Sequence, residues 1–379
     1  MKKLIYVISV VLVLMLTLSP AFSMSRKPSP PVVSYDDVVN NDGIPGEAIL
    51  IFGGDVMLDR NVEKAVEKYG DGDYTYPFHK IADYLESADL LFANLESQIS
   101  NRGMINMFKS APWFRADPDA AQGLKDVGFD IVSMANNHVF DYGRVGMKNC
   151  FKQLDSVGIK YCGAGLTHED AYAPVIMEVN DIKIAFLAYT NHGSPLWQAT
   201  AERSLLSELL EAQAIIEGNN DLFPQTENVL EQMIANDFID DLFTTIPMSG
   251  VAWLYTTQLE AGIAKAREAA DIVVVSFHFG TDYDMLPSSV QDRYAHLAID
   301  RGADLVVGHS PHVPQPVVKY NDGYIAYSLG NFVFDQRSAY YPDSTRSILL
   351  EVAVKDRKIS EVKTKNIKIN EDTWTTEFE

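Results

Sequence analysis

The sequence predicts an α/β domain built around a mostly parallel sheet. Two observations lead there. From Glu47 onward, apolar runs of strand length alternate with segments of helical periodicity. Five of those runs also end in polar residues of metal-ligand type. These are Asp55 after "EAILIFGG", Asn94 and Glu96 after "DLLFA", Asn136, Asn137 and His138 after "FDIVSMA", His278 after "DIVVVSF", and His309 and His312 after "DLVVG". In open α/β sheets, ligands bind beyond the carboxyl ends of the strands, so side chains at five such ends can converge.

The elements follow in order. "AILIF" reads as a strand and "NVEKAVEKYG" as the start of a helix. "DAAQGLKDVG" is helical and leads into the strand "FDIVSMA". "GMKNCFKQLDSVG" is a helix with Gly158 as its stop signal, and "IKYCG" follows as a strand. "PVIMEV" and "IKIAFLAY", split by Asn180-Asp181, form a hairpin. "QLEAGIAKAREAA" and "SVQDRYAHLAIDRG" are helices before the strands "DIVVVSF" and "DLVVG". "SILLEVAV" and "EVKTKNIKI" alternate with period two, which suggests an antiparallel pair closing the domain over 47–370. Residues 371–379 read as a C-terminal tail.

The N-terminus reads differently. Lys2 and Lys3 precede an apolar stretch from Leu4 to Leu18, and Ala21-Phe22-Ser23 closes it with small residues. Residues 1–23 are therefore expected to be a secretory signal, with a retained anchor as the rival, and the protein to be extracytoplasmic, secreted or attached to the envelope. Residues 24–46, with Pro28, Pro30, Pro31 and Pro45, read as a linker. Residues 194–250 carry ten acidic residues against Arg203 alone, in a helical pattern. They are expected to be an acidic helical insertion over the sheet edge or the mouth of the site, or else a solvated excursion. The two cysteines, Cys150 and Cys162, read as buried small residues on a helix and the next strand. The net charge of −21 and pI near 4.7 repel nucleic acid and anionic membranes at long range. A bound divalent cation can still invert that field for a small anionic substrate.

Each motif has a structural and a chemical reading. Gly53 and Gly54 let the chain turn as it leaves the strand, and Asp55 is then a cation ligand or a helix cap. Arg60 can hold an anionic oxygen or pair with a carboxylate such as Asp59. Asn94 and Glu96 lie two apart on one side of the chain, and Glu96 can bridge two cations. Asn137 offers a neutral oxygen ligand, His138 an acid–base imidazole, and Asp141 an anchor for that imidazole or a helix cap. His309 and His312, three apart after a strand, can serve one or two metals. His192 can line the same mouth, whereas His79, His168 and His296 read as surface residues. Gly330-Asn331, inside "YSLGNFVFD", suggests a bulge or a close backbone approach to a ligand.

The words "GGDVMLDR", "FANLES", "FRADPDAAQGLKDVGFDIVSMANNHVFDYG", "GAG", "HFGTDY", "GADLVVGHSPHVPQPV" and "YSLGNFVFD", in that order, resemble the poly-γ-glutamate capsule biosynthesis (CapA-like) proteins. That family looks like a branch of the calcineurin-like metallophosphoesterases. The resemblance implies a four-layer α/β/β/α sandwich of two mixed sheets between helices. It makes Asp55 the first metal carboxylate and Glu96, before Asn94, the bridging one. It makes Asn137 a metal ligand, His138 the catalytic histidine, His278 and His309 second-metal ligands, and His312 a ligand of the first metal. Met57 stands where such enzymes carry a histidine, Ser310 follows His309 in place of a second histidine, and Asp282 replaces a more frequent Glu.

The expected activity is metal-dependent hydrolysis of a phosphoester or γ-glutamyl amide. One or two ions (Mn, Zn or Fe) would activate water, with His138 as general acid. Asn94, Arg60, Arg115 and Asn331 are the expected substrate-side residues, and an anionic polymer or small anion the expected substrate. The rival is a non-enzymatic envelope component of a polymer synthase or export complex, its metal site vestigial or structural.

Overall fold

The computed structural model describes residues 38–39, 43–106, 111–192 and 250–379. The expected signal peptide and nearly all of the expected insertion lie outside them. The longer strands, in chain order, are β1 (Ala48–Val56), β2 (Leu90–Leu95), β3 (Phe129–Ser133), β4 (Lys160–Cys162), β5 (Val175–Val179), β6 (Ile182–Thr190) and β7 (Ile272–His278). They continue with β8 (Leu305–His309), β9 (Val317–Tyr320), β10 (Gly323–Ala326), β11 (Asn331–Val333), β12 (Arg346–Lys355), β13 (Lys358–Ile369) and β14 (Thr376–Phe378).

They form two mixed sheets. The first runs β14-β13-β12-β1-β2-β3-β4, with β11 also pairing β1. Its β1, β2, β3 and β4 are mutually parallel, and β12, β13 and β14 add antiparallel neighbours on the far side of β1. The second runs from Val38–Val39 through β5-β6-β7-β8-β10-β9, with β6, β7, β8 and β10 parallel. The β5–β6 hairpin turns at Asn180 and Asp181, both with positive φ (49° and 63°), as a tight two-residue hairpin requires.

Period two decides the layers. Along β6, Ile184, Phe186 and Ala188 join the core shared with the first sheet, where Phe186 stacks on Phe92 of β2 at 5.7 Å. Ala185, Leu187 and Tyr189 point the other way, into a second core. Two helices cover that face, α5 (Thr256–Ala269) and α6 (Ser289–Asp300), through Leu259, Ile263, Ala295 and Ile299. On the outer face of the first sheet lie α1 (Arg60–Tyr69), α2 (Ala120–Val127) and α3 (Gly143–Val157). They bury Val62, Val66, Leu124, Phe151 and Leu154. A short α4 (His168–Tyr172) starts with a capping box at Thr167. The architecture is the α/β/β/α sandwich with both sheets mixed. Among the described residues no helix is long and apolar enough to cross a membrane.

Three expectations need correcting. Val38–Val39, inside the expected linker, pairs with β5. The expected tail holds β14, which pairs with β13, and Trp374, Thr375 and Thr376 are buried. Gly53 and Gly54 do not make a turn beyond the strand; both lie within β1. A Cβ on Gly54 would sit 1.8 Å from the Gly330 carbonyl oxygen, and one on Gly53 2.3 Å from the Phe332 ring. The pair is glycine because β11 crosses at close range. The close approach expected at Gly330-Asn331 is therefore to β1, and Gly330 makes it with φ 75°. Cys150 and Cys162 are both buried and reduced.

Candidate metal centre

All of the expected cluster sits at the carboxyl ends of β1, β2, β3, β7 and β8. Asp55 lies in the last turn of β1, its backbone N–H bonded to the Gly330 carbonyl (3.0 Å). It does not cap α1; Asp59 does, through its Oδ1 to the Arg60 N–H (2.6 Å). Ligand atoms of Asp55, Glu96 and His278 lie within 4.8 Å of one another, and all three residues are buried. His309 Nδ1 is 3.5 Å from Asp55 Oδ1, and His312 Nδ1 is 3.4 Å from Oδ2. His278 Nδ1 is 3.4 Å from Glu96 Oε1. The three imidazoles thus meet on two carboxylates.

The electrostatics follow from burial and neighbours. Burial alone would raise the Asp55 carboxyl. The His309 and His312 imidazoles outweigh it and hold that carboxyl well below the ordinary carboxylate range. At His312 burial pulls downward, but Asp55 and the charge of Glu96 push the imidazole up to about 9. At His278 burial wins and keeps the ring well below its ordinary value. Ser310 (φ 96°) and His312 (φ 59°) both hold left-handed backbone, a conformation that costs an L residue about 1–3 kcal/mol and clusters at functional sites.

The donor set fits a divalent cation. Both ring nitrogens of the fully buried His309, and the buried Oδ1 of Asn137, have no hydrogen-bond partner among the described residues. Buried polar atoms are rarely left so unless something else binds them. Imidazole, carboxylate and amide oxygen suit Zn, Mn or Fe. Met57, a departure from the metallophosphoesterase pattern, is fully buried, and its Sδ accepts the Asp59 N–H (3.2 Å). That position adds no nitrogen to the cluster.

Beside the cluster lies a second polar group. Asp141 Oδ2 accepts from His138 Nδ1 (2.7 Å) and from the Phe114 N–H (2.6 Å). Asp141 therefore holds the imidazole, and α3 begins at Tyr142 without a side-chain cap. The Phe114 ring stacks on His138 at 4.0 Å, and the Arg60 guanidinium lies over Phe114 at 4.8 Å. Phe114 also meets Phe334 edge-on (5.7 Å), and Phe334 meets His312 edge-on (5.0 Å). An aromatic wedge thus links the His138 ring to the His312 ring.

The expected substrate-side residues are placed otherwise. Asn94 is fully buried inside the cluster. Asn331 is fully buried behind His312, its Oδ1 on His312 Nδ1 (2.9 Å) and its Nδ2 near Gln336 and the Ser344 carbonyl. It positions that ring and meets no open space. Arg60 pairs with Asp335, not Asp59. Arg115 is half-buried over Tyr142 (4.1 Å), its backbone N–H on Asp59 Oδ2 (2.8 Å). His192 lines the mouth as expected, 5.6 Å from the His278 ring and 3.1 Å from Ser310 Oγ. His168 and His296 are half-buried rather than at the surface, the latter stacked on Tyr320 at 4.0 Å. Phe114 and Asp335 were not expected in the site, whereas Asn136, the first Asn of "ANNH", was read there among the strand-end residues.

Two mixed sheets between helices, with buried carboxylates and imidazoles at their strand ends, define an α/β sandwich protein. The chain belongs to the bacterial capsule synthesis protein PGA_cap family, whose pattern matches residues 49–336. It is 30% identical to the capsule biosynthesis protein CapA of Bacillus anthracis over 75% of this chain and 59% of that one. It is 29% identical to the PGA biosynthesis protein CapA of Bacillus subtilis, over 88% and 73%. A probable polyglutamine synthesis accessory protein of Mycobacterium tuberculosis is 24% identical over 81% and 80%. The chain thus spans less than two thirds of the Bacillus anthracis relative.

Proposed function

We propose that this protein works outside the cytoplasm as a metal-dependent hydrolase in the making, export or trimming of an anionic, poly-γ-glutamate-like capsule polymer. The bond cut is a phosphoester or a γ-glutamyl amide. The observation that carries this reading is the meeting of Asp55, Glu96 and His278 within 4.8 Å, with His309 and His312 on the same carboxylate. The names of the relatives support the polymer.

Asp55, Glu96, Asn137, His278, His309 and His312 would hold one or two divalent ions. What such an ion supplies is Lewis acidity toward the substrate oxygen and acidification of a water. The rest falls to the chain. Asp141 fixes the His138 ring through Nδ1, so proton delivery to a leaving group falls to Nε2. Phe114 stacks on one face of that ring and keeps solvent from it. Arg60 and Arg115, both partly exposed although engaged with Asp335 and Tyr142, can draw an anionic chain toward an otherwise acidic protein.

Buried Met57 supports a second reading, in which the cluster is structural and the domain is a non-enzymatic partner in a membrane synthase or export complex. Metal analysis of the purified protein, then a screen of phosphoesters and γ-glutamyl peptides with and without chelator, separates the two. Chelator-sensitive turnover is the expected result. A tightly metalled protein inert toward every substrate would favour the second reading.

A further inference from the structure

The Asn94 side chain occupies an unexpected place. Its Nδ2 lies 2.8 Å from Asp55 Oδ1, 3.4 Å from Glu96 Oε1 and 3.3 Å from His278 Nδ1. These three residues are the ones whose ligand atoms cluster within 4.8 Å. An amide can present either its oxygen or its nitrogen, and here the surroundings decide. The His138 backbone N–H can only donate, and it bonds to Asn136 Oδ1 (3.0 Å). The Leu95 carbonyl can only accept, and it bonds to Asn136 Nδ2 (2.8 Å). Asn136 is thereby fixed from both ends. Its Nδ2 then donates to Asn94 Oδ1 (3.1 Å), which turns Asn94 Nδ2 toward the carboxylates. Both asparagines are buried, so no solvent competes for these bonds.

We propose that Asn94 is a built-in stand-in for the cation. Its amide hydrogens hold Asp55, Glu96 and His278 together when no ion is bound, and they have to give way when one enters. The reason is the lone pairs. An oxygen or imidazole nitrogen that accepts from Asn94 turns the same electrons toward the amide that a cation would need. The positive end of the N–H dipole also faces the place an ion would take. Asn94 then turns its nitrogen, not its oxygen, toward the place an ion would take, and an N–H cannot be a ligand. Removing the amide should leave two buried carboxylates with less compensation and make the site more avid. This inference rests on the metal reading above and adds to it the residue that limits affinity.

The test is a calorimetric titration of wild type and Asn94→Ala with Mn²⁺. The variant is expected to bind about tenfold more tightly, the scale of one lost charge-assisted hydrogen bond. Equal or weaker binding by a folded Asn94→Ala protein overturns the stand-in role, and weaker binding would make Asn94 a ligand instead. Failure of both proteins to bind Mn²⁺ sinks the metal reading itself, and this inference with it. Should the variant not fold, the Asn94 side-chain amide signals of the wild type serve in its place. Loading with Zn²⁺ is expected to shift them strongly; signals that stay put through saturation overturn the proposal.

Discussion

Two polar groups share the strand ends, and they are built on opposite terms. Around Asp55 the side chains are charged, buried and close, yet hydrogen bonds satisfy them only in part: among the described residues His309 has none on either nitrogen. Around His138 the bonding is direct: Asp141 Oδ2 accepts two short bonds, and Phe114 packs on the ring at 4.0 Å. A cluster of the first kind is stable only with something inside it or with strong internal pairing. One of the second kind is finished as it stands. On the proposed reading the first is a receptor and the second a preset tool.

The comparison breaks most visibly at Asp55. Truncating it to alanine leaves the His309 and His312 rings buried without the carboxylate they share. Removing one partner of a buried pair costs about 3–5 kcal/mol. Denaturant unfolding at neutral pH should show a loss of that size, and Mn²⁺ binding should fall at least about a hundredfold, the upper scale seen even for outer-shell partners. A fully stable Asp55→Ala protein that still binds Mn²⁺ would contradict the receptor description.

Asp141→Asn probes the other group. The amide keeps the shape and one acceptor, so two charge-assisted bonds become neutral ones. A stability loss of about 1–3 kcal/mol follows. Mn²⁺ affinity should stay within about twofold, because the substitution keeps the His138 backbone bond to Asn136 through which this group reaches Asn94. Any hydrolysis found should fall about 10²–10⁴-fold, the usual share of acid–base catalysis. A large drop in metal affinity would show the two groups to be one unit.

How much of this could be read in the residues depends on range. The strands could be, because apolar runs bounded by turns report burial on both faces directly, as "DIVVVSF" does for β7. Asp55, His278, His309 and His312 could be, because a polar residue directly after such a run marks a strand end. Phe114 could not: its place beside His138 comes from a backbone bond to Asp141, 27 residues on. Asp335 meets Arg60 across 275 residues of chain. Gly53-Gly54 was misread for the same reason, since the atoms that forbid a side chain there belong to Gly330 and Phe332. Asn94 and Asn331 were expected to face substrate because their strand ends were right; which way an amide turns is decided by partners no local pattern contains.

The smallest effect is the pH dependence of the metal-free protein, and it tests the receptor group alone. His312 is raised to about 9, so its contribution is full below the ordinary histidine value and is lost as pH rises through about 9. Asp55 is depressed, so its contribution is present above the ordinary carboxylate value and fades as pH falls below it. Stability of the metal-free protein should therefore carry a plateau between the ordinary carboxylate and histidine values, and a decline from the latter to about pH 9 that Asp55→Asn removes. Coordination needs neutral imidazole, so loading with Mn²⁺ should release protons at pH 7 and abolish the decline near pH 9. Unfolding curves at pH 3 to 10, with and without the ion, measure both limbs. Asp141→Asn leaves in place the Asp55 and Glu96 carboxylates that raise His312, so it should leave that alkaline limb where it is. If Asp141→Asn moves it, the aromatic wedge of Phe114 and Phe334 couples the two groups more tightly than their separate hydrogen bonding implies.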